Sequence, residues 1–390
     1  MKVMVLKWSG YGYMDMIPAF ENCGHEVFTV DFNKDDPRSN EEVTNELKKK
    51  IDEIKPDFMF SFNYFPIIAI VGKETQTKYV SWIYDSPYVL MYSYTVIFPT
   101  NYVFVFDKEL YLEFRNNRID TVYYLPLASN PKRINSFKDW DKVFKSHWIN
   151  KTDISFVGAL YTEDHQFYSR LKNIAPYTRG YLEGIMAAQK NVYGYNFIKE
   201  LLTSEIMDDM YRDLPMEPNP DGVETKEYLY AQYVINRRLT AIERTRILTL
   251  IGTKHQFDLY THDMNFKVPG CINHGVVGYL EDAPHVFHNS KINLNITLRS
   301  ITSGVPLRAF EIMGAEGFLL TNYQADFADV YVADEDYVYY ESEEDLMAKI
   351  DYYLSHEDRR REIAHNGYVR TLENHTFEHR IEEIVNVISQ

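Results

Sequence analysis

The sequence reads as an α/β chain with two doubly wound parallel sheets, and three features carry that reading. Its 390 residues exceed what one hydrophobic core commonly holds. Short runs of β-branched and aromatic residues alternate with polar, helix-like stretches, the pattern of strands covered on both faces in a parallel sheet. The alternation lapses once, over 129–152, and then begins again.

Six runs make the first sheet: "KVMVLK" (2–7), "HEVFTVDF" (25–32), "DFMFSFN" (57–63), "KYVSWIYD" (78–85), "YVFVFD" (102–107) and "TVYYLPLA" (121–128). "EEVTNELKKKIDEIK" (41–55) between them has helical character. The polar stretch 129–152 reads as a linker, so a first domain spans 1–150. A second domain, 151–374, opens on "DISFVGAL" (153–160) and carries a mostly helical insertion over 165–250, broken by the loop "LPMEPNPDGVE" (214–224). Its strands resume at 256–262, 291–297, 317–322 and 337–341, with helices at 342–355 and 357–373. A last helix, 376–388, lies in the segment 375–390, which is expected to return to the first domain.

The formal net charge of −16 opposes non-specific association with nucleic acid or anionic membrane. Two cysteines far apart, Cys23 and Cys271, fit a reducing cytoplasm and offer neither a disulfide framework nor a zinc cluster. The opening "MKVMVLKWSG" reads as a first strand, and no run reaches transmembrane length.

The stretch "TSGVPLRAFEIMGAEGFLLT" (302–321) carries the clearest chemistry. Pro306 suits a first helical turn, and Gly304 lets a ligand approach the backbone. Unpaired N–H groups and the helix dipole make such a terminus an anion site, to which Arg308 adds a bidentate phosphate contact. Glu311, on the flank of the packed face, suits the hydroxyls of a ribose. The plain alternative is an Arg308–Glu311 surface pair at i, i+3.

Read with its flanks, "HGVVGYLEDAPHVFHNSKINLNITLRSITSGVPLRAFEIMGAEGFLLTN" resembles the nucleotide-binding half of GT-B glycosyltransferases, in the group-1-like branch that includes spore-maturation-type proteins. The tail "ESEEDLMAKIDYYLSHEDRRREIAHNGYVRTLENHTFEHRIEEIV" resembles the same branch. The resemblance covers 153–160 and 250–388 and is general elsewhere. It implies two Rossmann-like domains facing a cleft, a nucleotide-sugar donor (a UDP-sugar foremost) and no cofactor or metal. It also implies roles for residues. Glu311 holds the donor ribose, while Ser303, Gly304 and Val305, with Arg308, meet the diphosphate. Gly278, Tyr279 and Leu280 form the turn that reads the nucleobase, and Gly158 lies at the cleft mouth. One departure stands out. Many retaining members carry a second glutamate eight positions before the ribose glutamate; here that position is Ser303.

In the first domain, Gly10 and Gly12 follow the first strand in "KWSGYGYMD" (7–15), as a phosphate or sugar loop or as a plain tight turn. Asp85 in "WIYDSP" (82–87) falls at the carboxyl end of a strand, where a buried carboxylate serves as general base on an acceptor hydroxyl. The plain alternative is an Asx turn or N-cap. Asp15 is a weaker rival and reads as a cap. His262 and His274 flank the nucleotide segment, His285 and His288 lack a metal-ligand spacing, and "DED" at 334–336 reads as a solvated acidic turn. The expected function is a metal-independent glycosyltransferase whose acceptor is unidentified. Its rivals are a non-catalytic nucleotide- or partner-binding subunit and a sugar-nucleotide epimerase or hydrolase on the same fold.

Overall fold

The computed structural model describes residues 1–32, 37–136, 151–162 and 166–390. Among the described residues, twelve strands form two six-stranded parallel sheets. In the first unit, β1 (Lys2–Lys7), β2 (Glu26–Asp31), β3 (Phe58–Phe62), β4 (Lys78–Ile83), β5 (Asn101–Val105) and β6 (Val122–Tyr124) take the order β2-β1-β3-β4-β5-β6. Every residue of β3 is buried, as a central strand covered on both faces requires, whereas the edge strand β2 has none fully buried. In the second unit, β7 (Thr152–Val157), β8 (Phe257–Tyr260), β9 (Cys271–Asn273), β10 (Ser290–Asn295), β11 (Leu319–Asn322) and β12 (Val338–Tyr340) take the order β12-β11-β10-β7-β8-β9.

Each order reverses once, between β1 and β3 in the first sheet and between β7 and β10 in the second. At such a reversal the flanking helices leave to opposite faces and open a crevice beyond the carboxyl ends of the strands, where open α/β sheets bind ligands. The two crevices therefore fix where function is to be sought.

The compact units are Met1–Ala128 with Pro218–Glu224 and His375–Gln390, and Ser129–Glu217 with Thr225–Asn374. The division comes earlier than the 150/151 boundary read from composition, and most of the expected linker (137–150) lies outside the described residues. Helix Pro131–Ser136 belongs to the second unit because Arg133 donates to the Leu280 carbonyl (2.8 Å) and Asn135 to the Tyr368 hydroxyl (2.6 Å). Helix Phe377–Ile388 belongs to the first unit: Phe377 meets Trp82 edge-on at 5.9 Å, and buried Arg380 donates to the Pro126 carbonyl (2.8 Å). Loop 218–224 leaves the helical insertion to join the first unit, where Asp221 pairs with Arg38 and accepts from the Ser93 hydroxyl (2.8 Å).

Among the described residues no helix is long and apolar enough to cross a membrane.

Two helical glycines separate packing from propensity. A Cβ at Gly252 would lie 1.8 Å from the Pro269 carbonyl oxygen, while one at exposed Gly180, inside helix Pro176–Gln189, meets nothing within 4 Å. Gly180→Ala is expected to stabilise by about 0.5–1 kcal/mol. Gly252→Ala is expected to cost more than about 2 kcal/mol through overpacking against backbone. Urea denaturation of the two variants checks both signs.

Candidate functional site

In the second unit, the crevice between β7 and β10 is bridged by one side chain. Arg244, from helix Asn236–Gly252, donates through Nη1 to the Ala159 carbonyl, beyond β7, and through Nε to the Ile296 carbonyl, beyond β10 (3.1 Å). Its Nη2 also reaches Ile296, and the guanidinium lies over the rings of Phe156 (5.4 Å) and Tyr161 (5.2 Å). All these partners are neutral. Burial pulls the Arg244 pKa below the usual arginine value, and repulsion from Arg308 acts the same way. Glu243 attracts the Arg244 guanidinium in the opposite sense, and Arg308 is itself paired with Glu311, so both cations stand near carboxylates.

The chain beyond β10 turns its carbonyls to one side. Those of Ile301 and Gly304 accept from Gln324 Nε2 (3.3 and 3.2 Å), and that of Ser303 accepts from the Asp326 amide (3.0 Å). A planar trans peptide sets each N–H opposite the preceding carbonyl. The Gly304 and Val305 amides therefore point away from Asp326 and Gln324. Helix Leu307–Gly314 follows, with Pro306 in extended conformation at its N-cap instead of inside the first turn. Arg308 and Glu311 pair across that turn at 2.9 Å, both partly buried, and Arg308 stacks over Phe287 at 5.2 Å. The plain alternative for these two side chains, an i, i+3 pair, is thus realised.

The other expected donor residues gather at the same sheet edge. Gly158 donates its amide to the Tyr260 carbonyl (3.0 Å), and its neighbour Val157 packs in one cluster with Tyr260, Val286 and Val277. Val277 anchors the turn Gly278–Tyr279–Leu280 beside β7 and β8. In that turn the Gly278 carbonyl accepts from the Ala283 amide (2.8 Å) and the Leu280 carbonyl from Arg133, so two of its three carbonyls serve the protein itself.

A small polar depression, partly open to solvent, adjoins this edge. Thr297, Arg299 and Thr302 beyond β10, Asn322 at the end of β11, Gln324 beyond it, and Asn196 from the insertion line it. Arg299 fastens the insertion here. It makes a two-pronged pair with Glu243 (2.7 Å each), donates to the Val192 (2.8 Å) and Lys190 (3.1 Å) carbonyls, and lies over Tyr193. Desolvation pulls the Arg299 pKa down most strongly, but the charge and hydrogen bonds of Glu243, with Tyr193 and Tyr340, together raise it, so this cation is engaged inside the protein. Sequence reasoning missed both Arg244 and Arg299, since "ERTR" and "TLRS" carry no sign that these side chains turn inward.

The first-unit candidates lie at the switch between β1 and β3. A Cβ at Gly12 would come within 2.8 Å of the Phe62 ring, and one at Gly10 within 3.1 Å of the Tyr84 hydroxyl. Both glycines thus make room for the protein's own aromatic rings. Asp85 is exposed, where a buried carboxylate was expected, and its Oδ2 accepts from Asn63 Nδ2 at 2.7 Å. Asp15 lies buried in the first turn of helix Tyr13–Asn22, and Gly12 takes the N-cap.

The histidines are placed structurally. His262 is exposed; His274 stacks on Tyr260 at 4.9 Å and lies 3.1 Å from Asp258; His285 is buried, which lowers its pKa; His288 meets the Ala315 carbonyl at 3.0 Å. The turn at 334–336 is only partly solvated: Asp336 is buried, pairs with Arg370 and accepts from the Val332 amide at 2.7 Å. Among the described residues no three His, Cys, Asp or Glu side chains form a group that could hold a metal ion.

Comparison with known proteins agrees with this architecture. Residues 238–386 match the family model described as glycosyl transferase-like. No curated protein matches the sequence. Among solved structures, a glycosyltransferase from Rickettsia africae shares the fold with a TM-score of 0.54 at 11% identity, over 99% of this chain and 97% of that one. HepE of Anabaena, in complex with UDP and glucose, gives 0.51 at 10% identity, over 100% and 99% of the two chains. Sucrose-phosphate synthase from Thermosynechococcus elongatus gives 0.51 at 10%, over 100% and 98%. At such identities the likeness concerns the fold: α/β, with two Rossmann-like domains of the GT-B type.

Glu243 is 2% exposed, and Arg299→Gln leaves its carboxylate without its counter-charge. The variant is expected to lose about 3–5 kcal/mol, and the double replacement Arg299→Met with Glu243→Met much less. A double-mutant cycle of urea midpoints measures the difference.

Proposed function

We propose that the chain is a glycosyltransferase of the spore-maturation-type branch. It moves a sugar from a nucleoside-diphosphate sugar, with a UDP-sugar as first choice, to an acceptor hydroxyl. It acts in the cytoplasm without a metal ion or other cofactor. The second unit takes the donor and the first unit the acceptor. One observation carries the reading: amides turned away from Gln324 and Asp326 head a helix bearing Arg308 and Glu311, at the switch point that Arg244 makes positive. The glycosyl transferase-like match over 238–386 and the UDP-bound HepE of like fold support it.

As the sugar leaves, negative charge grows on the diphosphate. Amides of Gly304 and Val305 and the Arg308 guanidinium stabilise that charge without reorganising, which lowers the barrier electrostatically. Glu311 accepts the ribose hydroxyls, Gly278, Tyr279 and Leu280 border the base, and Gly158 leaves room beside it. Asp85 accepts the acceptor's proton. A retaining mechanism organised by an upstream glutamate is not part of this reading, because Ser303 stands in its place. That same serine favours the second reading, a nucleotide-binding subunit that transfers nothing.

Calorimetry with UDP and with inorganic diphosphate separates the two roles on the helix. Glu311→Ala is expected to weaken UDP about tenfold, near 1.4 kcal/mol, and not to weaken diphosphate, since it frees Arg308 from its counter-charge. Arg308→Ala is expected to weaken both. Failure of the wild-type chain to bind any nucleoside diphosphate overturns the reading, and binding without sugar release from any donor favours the non-catalytic one.

A further inference from the structure

Residues 218–224 belong to the first unit, while the chain immediately before and after them belongs to the second. The insertion is anchored on either side of this arm: Leu214 is buried and its carbonyl accepts from the Tyr230 hydroxyl (2.7 Å), and Thr225 caps helix Lys226–Leu229. Between these anchors the arm holds its own shape. Glu224, 3% exposed, accepts through Oε1 from the Asn219 amide and from Asn219 Nδ2 (2.8 Å each). The Gly222 amide returns to the Asn219 carbonyl (2.8 Å), and Pro218 and Pro220 restrict the backbone. A Cβ at Gly222 would lie 1.9 Å from Glu224 Oε2, so glycine is what lets this turn close.

Polar contacts fasten the arm. It lies antiparallel to residues 92–94: Tyr94 donates its amide to the Asp221 carbonyl (2.8 Å), and Val223 its amide to the Tyr92 carbonyl (2.9 Å). The Asp221 carboxylate pairs with Arg38 and accepts from the Ser93 hydroxyl (2.8 Å). Ser93 is fully buried where the helical turns Val89–Tyr92 and Tyr94–Ile97 meet. From it a chain of buried hydroxyls runs inward, Ser93 Oγ to Thr95 Oγ1 (2.9 Å) and Thr95 Oγ1 to the Tyr64 hydroxyl (2.7 Å). Tyr64 is the second residue beyond β3, at the switch point, and its carbonyl accepts from the Tyr88 hydroxyl (2.8 Å). At the arm's tip Pro220 and Val223 are exposed. A preshaped arm held by an ion pair and a few hydrogen bonds leaves and returns as one piece, while Leu214 and Thr225 keep the insertion anchored.

We infer that residues 218–224 are a latch. Docked, they hold the turns 89–97 and, through Ser93, Thr95 and Tyr64, the first unit's switch point in one arrangement; released, they loosen both. The insertion thereby governs the order of the first unit's crevice, since the arm is continuous with it on both sides. The latch goes beyond the proposed activity and does not depend on it.

Hydrogen exchange on the full chain, read residue by residue by NMR, tests it, because the hydrogen bonds of the Tyr94 and Val223 amides cross from arm to turn. In the unaltered chain these two amides are expected to share one protection factor; unequal values overturn opening as one piece. In Asp221→Ala, and in Arg38→Ala as a second variant, both are expected to exchange at least about tenfold faster. The Asn63 and Phe65 amides, bonded to the Trp82 carbonyl and the Tyr79 hydroxyl at the switch point, are expected to follow them. The Gly222 amide, bonded inside the arm, and those of insertion helix Pro176–Gln189 are expected to keep their wild-type rates. Faster exchange of Tyr94 and Val223 without Asn63 and Phe65 overturns the coupling to the switch point. Faster exchange in the insertion helix as well makes the arm part of the insertion's own fold and overturns the latch. Unchanged exchange throughout overturns docking by Asp221.

Discussion

Everything at the carboxyl edge beyond β10 depends on where three carbonyls go. Gln324 and the Asp326 amide bind those of Ile301, Ser303 and Gly304 from one side, and peptide planarity then commits the Gly304 and Val305 amides to the other. Without those bonds the same residues form an ordinary loop whose dipoles average out. With them, the loop presents fixed donors ahead of a helix whose dipole has the same sign. The fixed geometry matters because the chain as a whole carries a net charge of −16, which repels the ligand class proposed for this edge. Local preorganised donors and cations act within a Debye length of about 8 Å, where they outweigh a diffuse, screened field.

Two buried arginines of the second unit show opposite solutions to the cost of burying charge. Arg299 is matched by Glu243 in a two-pronged pair and closes the insertion onto the end of β10; its charge is spent within the fold. Arg244 is hydrogen-bonded to carbonyls and lies over aromatic faces, with Glu243 attracting it electrostatically. Carbonyl dipoles lower a cation's self-energy without cancelling its charge. The bridge that Arg244 makes from Ala159 to Ile296 holds the two strand ends of the crevice together.

Most of the fold was legible because parallel strands buried on both faces need near-continuous apolar runs, and "KVMVLK" or "FMFSF" suit little but a buried strand. Strand β9 was missed: "CIN" is three half-exposed or exposed residues at a sheet edge, too short to show a period. Loop 218–224 read correctly as a loop, but its place in the first unit depends on Arg38 and Ser93, more than a hundred residues away, which no local pattern encodes. Of the candidate site, the helix start was legible where residue type and local conformation coincide, as in 303–311. Side chains that turn inward, as those of Arg244, Arg299 and Asn63 do, were not. Gly10 and Gly12 are the converse: a ligand-loop pattern whose glycines are required by Phe62 and Tyr84.

The carboxyl edges of the two sheets carry different chemistry. Beyond β7 and β10 stand amides and guanidiniums, one of them, Arg308, paired with Glu311; beyond β3 and β4 stand an amide-clamped carboxylate and aromatic rings. The difference lies in the few residues after each strand end, since the strands themselves are alike in being apolar and parallel. The repeated fold thereby supplies two independent carboxyl-edge crevices, and the sequence differences after each strand end decide which ionic character each one takes.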